Sequence, residues 1–109
     1  MWLFTQTGFI SAVLKDDGFQ VRARDVESLK SLIRFSGSKI IKTPHADYPY
    51  RIVVNQQVFT NWIAEQAQNI DYSNFKSQVA AMRGSKFAKP LHEVWSVMHE
   101  VEDAEARIR

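Results

Sequence analysis

Over residues 19–25 apolar and polar positions alternate. Phe19, Val21 and Ala23 fall on one side of an extended chain and Gln20, Arg22 and Arg24 on the other. That is the period-two signature of a strand with one buried and one wet face. Trp2-Leu3-Phe4 and residues 9–15 also read as strands. Between them, Thr5-Gln6-Thr7-Gly8 fits either a tight turn or a bulge in which Gly8 takes a positive φ, so residues 2–15 form a hairpin or one bulged strand. Asp16-Asp17-Gly18, set between apolar runs, is a hairpin signal, because Asp-Gly favours a turn that matches the strand twist. The pattern then changes period. Val26, Leu29, Leu32 and Ile33 recur at helical spacing, with Asp25 placed to cap the helix over residues 26–35 and Gly37 to stop it.

A strand over residues 39–43 leads into TPHADYPYRIVVN, residues 43–55. Pro44 and Pro49 fix their own φ and push Thr43 and Tyr48 towards extended geometry, making a stiff connector. Its exit, Tyr50-Arg51-Ile52-Val53-Val54, is aromatic and β-branched with no proline inside, so it suits a central strand. Asn55 has the character of an N-cap. The helix it opens carries an apolar stripe of Phe59, Trp62, Ile63, Ala67 and Ile70. Two more helices are predicted. Phe75, Val79 and Met82 share a face before Gly84, and Pro90 suits the first turn of a last helix that buries Leu91, Val94, Trp95, Met98 and Val101. Asp103 with Arg107, and Glu105 with Arg109, are favourable (i, i+4) pairs at its solvated end. The expected fold is α+β: one domain over residues 1–109 with a single antiparallel sheet of about four strands, ordered ββαββα, and two further C-terminal helices packed on one face. In order it relates to ferredoxin-like folds without their strand–helix–strand start. Trp62 and Trp95, each central to an apolar stripe, are both expected in the core against the same sheet face.

At HADYPYR, DYSNFKS and HEVWSVM the chain resembles small single-domain bacterial and phage-type proteins of uncharacterised function. The resemblance runs from the opening Met-Trp-Leu to about Met98 and implies one compact domain.

Composition narrows the class. In 109 residues, 45% hydrophobic and 12% aromatic, there is material for one folded core. With no cysteine, disulfides and thiolate metal sites are excluded. No apolar run approaches the roughly 20 residues of a membrane span, and no signal peptide is visible, so a cytoplasmic protein with no membrane partner is expected. The net charge of +2 is unevenly spread. Residues 20–55 hold seven basic side chains against three acidic ones, residues 72–92 hold four and no acid, and residues 93–109 hold five acids and two arginines.

Three groups of residues carry candidate chemistry. His45 and Asp47, two apart in an extended segment, point the same way, so Asp47 could orient the imidazole of a general base in a small hydrolase or nuclease. No nucleophile adjoins them. His92 and His99 are two helical turns apart, about 10.5 Å, too far to ligate one ion. No glycine-rich phosphate loop exists, and neither metal nor cofactor is expected. The wet face of the sheet is the leading candidate. Arg22 and Arg24, joined from neighbouring strands by Lys15, Lys42 and Arg51, would make a cationic platform that tracks a phosphate backbone, with Tyr48 or Tyr50 stacking on a base. The same surface would also suit a protein partner or self-association as a homodimer, since arginine is favoured in interfaces. The leading functional expectation is a non-catalytic module that engages a protein or nucleic acid through this face and the 43–51 loop. The hydrolase, and a structural subunit of a larger assembly, are the alternatives.

Overall fold

Alternation of apolar residues does produce a sheet, and the sheet is antiparallel throughout. In the computed structural model, which describes residues 1–108 and the side chains of residues 1–105, five strands run β1 (Trp2–Thr5), β2 (Gly8–Lys15), β3 (Gly18–Ala23), β4 (Ile41–Lys42) and β5 (Tyr50–Val54). Their spatial order is β1-β2-β3-β5-β4. Between β3 and β4 the chain makes a 3-10 turn (Glu27–Leu29) and helix α1 (Lys30–Ser36), and helix α2 (Gln56–Gln68) follows β5. Three more helices come after: α3 (Phe75–Arg83), α4 (Ser85–Val97) and α5 (Glu100–Ile108). The α+β class and the single antiparallel sheet are as expected. The strand count is five because Gln6-Thr7 forms a hairpin turn that pairs Thr5 with Gly8, and the helices after α2 number three. The chain divides into two compact units, Met1–Asp71 and Tyr72–Arg109.

Gly8 does not take a positive φ; that conformation belongs to Gly18, Gly37 and Gly84. What Gly8 supplies is space. A Cβ there would lie 2.1 Å from Ser28 Oγ and 2.7 Å from Ser28 Cα, and in that gap the buried Ser28 hydroxyl instead accepts a hydrogen bond from the Phe9 amide. Asp25 caps the 3-10 turn through its carboxylate and the Ser28 amide. Gly37 closes α1 in the left-handed conformation, and the Asn55 side chain accepts from the Val58 amide to start α2.

The core of the first unit lies on one side of the sheet. Ile10, Ala12, Val21, Ala23, Ile52 and Val54 face Leu29 and Leu32 before and within α1, and Phe59 and Trp62 of α2. Trp62 is 1% exposed, and its indole N–H donates to Ser31 Oγ at 3.0 Å, which ties α2 to α1. Ile70 falls beyond the end of α2 and is exposed, so it is not part of this stripe.

In the second unit the last helix departs from expectation. Gly84, at φ 89°, ends α3 and starts α4 in a single residue. Helix therefore begins at Ser85, and Pro90 lies inside it, removing one i→i−4 bond. The helix also stops at Val97, and a turn at Met98 and His99 separates it from α5. Val79 and Leu91 are buried, but Trp95 is 53% exposed, and Val94, Met98 and Val101 are exposed with it. Trp95 is instead dressed by polar groups. Lys76 Nζ sits 4.3 Å from its ring centroid, His92 stacks on it at 5.5 Å and His99 meets it edge-on at 5.0 Å. Spacing alone does not separate a core stripe from an amphipathic surface whose apolar rings are covered by long cations. The side chains of Arg107 and Arg109, and so the two terminal ion pairs, lie outside the described residues.

The two tryptophans should therefore separate sharply in thermal unfolding. Trp62→Ala is expected to cost about 3–5 kcal/mol, as for a fully buried aromatic, whereas Trp95→Ala should stay within about 1 kcal/mol of the parent, as for a surface change.

Candidate functional site

The sheet face turned away from α1 and α2 collects the side chains that the strand register puts out of phase with the core. Ser11 pairs with Arg22, and Arg22 pairs directly with Arg51. With Trp2 opposite Ser11 and Ile41 opposite Arg51, a single cross-strand row reads Trp2, Ser11, Arg22, Arg51, Ile41. At about 4.8 Å between strands, the row spans about 19 Å. Val13, Gln20 and Val53 form the next row on one side of it.

Two arginines directly opposite each other repel, and the chain holds them with neutral groups. Arg22 Nη2 donates to the buried Ser11 hydroxyl at 2.8 Å. Arg51 Nη1 donates to Gln20 Oε1 at 3.0 Å and its Nε to Thr43 Oγ1 at 3.3 Å. Arg24 Nη1 donates to the Asp47 carbonyl at 2.8 Å. Among the described residues none of the three forms an ion pair with a carboxylate. Arg22 Nε is buried with no acceptor among the described residues, a rare state for a buried donor.

The 43–49 segment is what clamps this end of the face. The Ala46 amide bonds back to the Thr43 carbonyl, the Thr43 amide to the Pro49 carbonyl, and the Thr43 hydroxyl to the Tyr48 carbonyl at 2.7 Å. The loop so closed presses the Tyr48 ring onto the sheet, where the guanidinium carbons of Arg22 and Arg24 lie 4.8 and 4.7 Å from its centroid and the Phe9 ring 6.5 Å away. Such cation–π contacts partly compensate for crowding positive charge.

The structure thus brings Arg22, Arg24 and Arg51 to one end of one face, with Gln20 beside them. Lys15 shares the face by register but lies at the other end of β2, at the turn pairing with Gly18. It lines a shallow depression of about 560 Å³ with Leu14, Asp16, Asp17 and Gln20. Two expected members do not join. Lys42 pairs with Tyr50, and Tyr50 with Ala23, so both belong to the helix-covered side of the sheet, where Tyr50 packs against the core. The reason is the period of two: Lys42 and Arg51 are not opposite one another, and one step of register changes the face. Tyr48 lies with the arginines, yet at 7% exposure its ring is covered by them and is not open to stack on a base. His45 and Asp47 are both exposed, and no hydrogen bond joins their side chains among the described residues.

Sequence reading missed the aromatic edge beside the arginines. Phe4 pairs with Phe9 and the rings stack at 4.6 Å, while Trp2 meets Phe9 edge-on at 5.8 Å and remains 71% exposed. The signal was present in the alternation Trp2, Leu3, Phe4, which sends Leu3 to the core side and both rings to the other. Reading it required the hairpin, since only the Thr5–Gly8 turn fixes which residues of β2 they face. Among the described residues no helix is long and apolar enough to cross a membrane. Comparison of the chain with protein-family models, with curated proteins and with solved structures found no match.

Because Tyr48 acts here through its ring, with no hydrogen bond from its hydroxyl among those described, Tyr48→Phe is expected to leave the melting temperature nearly unchanged. Tyr48→Ala should cost about 3 kcal/mol by removing a buried aromatic. A large loss in the phenylalanine variant would place the clamp in the hydroxyl instead.

Proposed function

We propose that this protein is a non-catalytic binding module whose arginine-bearing sheet face takes the phosphate backbone of a nucleic acid. The observation that carries this reading is the Arg22–Arg51 cross-strand pair, held by Ser11, Gln20 and Thr43 and without a carboxylate partner among the described residues. A chain stabilised for its own sake would place opposite charges across such a pair, because like charges there are destabilising. An uncompensated pair is what a multiply charged anion needs, and guanidinium forks match phosphate oxygens two at a time. The clamp by Tyr48 and the 43–49 loop fixes Arg22 and Arg24 before any ligand arrives, which lowers the entropic cost of binding.

A phosphate-backbone partner has a distinctive salt dependence. Each arginine that displaces a condensed counterion contributes about 0.9 to the slope of log K against log salt for a duplex, or about 0.7 for a single strand. Titration of a labelled oligonucleotide between about 50 and 200 mM salt is therefore expected to give a steep line for the parent and one shallower by about 1.4 to 1.8 for the double variant Arg22→Gln, Arg51→Gln. Circular dichroism should show the variant folded. Absence of binding by the parent at the low-salt end, or an unchanged slope in the double variant, would overturn the proposal. Capture of a protein through the same face, with the affinity change in the dissociation rate and little response to salt, would replace it with a protein interface.

A further inference from the structure

We infer that the aromatic edge formed by Trp2, Phe4 and Phe9 is a base-stacking platform, so that the nucleic acid taken by this face is single-stranded. The inference rests on the phosphate-backbone reading above and adds to it the chemistry of the other half of the ligand. Trp2 and Arg22 belong to one cross-strand row, two strands apart, on one face. A flexible strand lying along that row meets a flat ring at the sheet edge and two guanidinium groups about 10 to 14 Å further in. That juxtaposition suits a strand whose bases and phosphates are presented separately. Unpaired bases offer their π-faces to aromatic side chains, while in a duplex those faces are already stacked on one another.

The rings are also held in place. Trp2 meets Phe9 at 89° between planes, Phe9 stacks on Phe4 at 22°, and Phe9 reaches Tyr48, which contacts both Arg22 and Arg24. One contiguous run of rings therefore links the exposed indole to the arginines. Trp2 at the outer end is 71% exposed, so it contributes little to the core of the unit. Phe9 meets only one side of the indole and most of the ring stays open, and stacking on a base needs such an accessible ring on a rigid support. Stacking engages the π-face that every base has, so tolerance of sequence is expected.

The test compares a labelled oligothymidine of about twelve nucleotides with a duplex of the same length, by fluorescence anisotropy, for the parent, Trp2→Ala and Trp2→Phe. The parent should bind the single strand at least tenfold more tightly than the duplex. Trp2→Ala should weaken the single-strand complex about tenfold with the duplex affinity and the salt slope unchanged, and Trp2→Phe should recover most of the loss. Should alanine disturb the edge strand, Trp2→Leu, which keeps apolar contact with Phe9 but has no flat ring, decides the same question. Equal affinity for the two oligonucleotides, or single-strand binding unchanged within twofold in Trp2→Ala, overturns the stacking platform and leaves the arginine reading standing. Failure of the parent to bind either oligonucleotide overturns both.

Discussion

The pairing of β3 with β2 on one side and β5 on the other fixes both faces of the sheet together, because side chains along a strand alternate. Placing Val21 opposite Ala12 and Ile52 buries all three under α1 and α2. The same alternation puts Ser11, Arg22 and Arg51 on the open face, and the observed register leaves Arg22 with Ser11 on one side and Arg51 on the other. A slip of one residue would send Val21 to the wet side and Arg22 into the core. Gly8 belongs to the same constraint. Its missing side chain admits Ser28 at the end of β2, which lets the 3-10 turn close over the sheet and carry Leu29 and Leu32 to it.

The arginine pair has a cost that the surrounding residues absorb in stages. Ser11, Gln20 and Thr43 supply neutral acceptors, and the Tyr48 ring lies against two of the three guanidinium groups. The proline-braced loop matters here as a support. Residues 43–49 deliver Tyr48 to the open face and pin Arg24 through the Asp47 carbonyl, while His45 and the Asp47 carboxylate point into solvent. Residues that look chemically active in a short motif thus act mainly through backbone and ring, and the positive charge they hold in place meets no carboxylate among the described residues.

Much of this was legible in the sequence where a local rule decides the outcome. The alternation at Phe19 to Arg24, the Asn55 cap, the Gly37 stop and the proline-free strand at Tyr50–Val54 each follow from one or two residues and their neighbours. The rest depended on register or on tertiary cover. Lys42 fell on the covered side because β4 pairs so that Ile41, and not Lys42, opposes Arg51. Tyr50 went with it. Trp95 carries a helical apolar spacing, yet its ring stays half exposed, flanked by Lys76, His92 and His99 on the surface of its own unit. Pro90 suited a helix start until Gly84 turned the chain in one residue and began the helix earlier. The aromatic edge was hidden for the same reason as the fifth strand: Thr5-Gln6-Thr7-Gly8 permits two backbone paths, and only one places Phe4 against Phe9.

The most direct measurement is of the arginine side chains themselves, by following the guanidinium Nε–H resonances of Arg22, Arg24 and Arg51 in nuclear magnetic resonance spectra during titration with a short oligonucleotide. Arg22 and Arg51 should shift together, at one common midpoint, with the Trp2 indole N–H, while the indole of the buried Trp62 stays fixed. Shifts confined to the second unit or to the exposed His45 turn, with the Arg22 and Arg51 resonances unmoved, would contradict the assignment of this face as the binding surface.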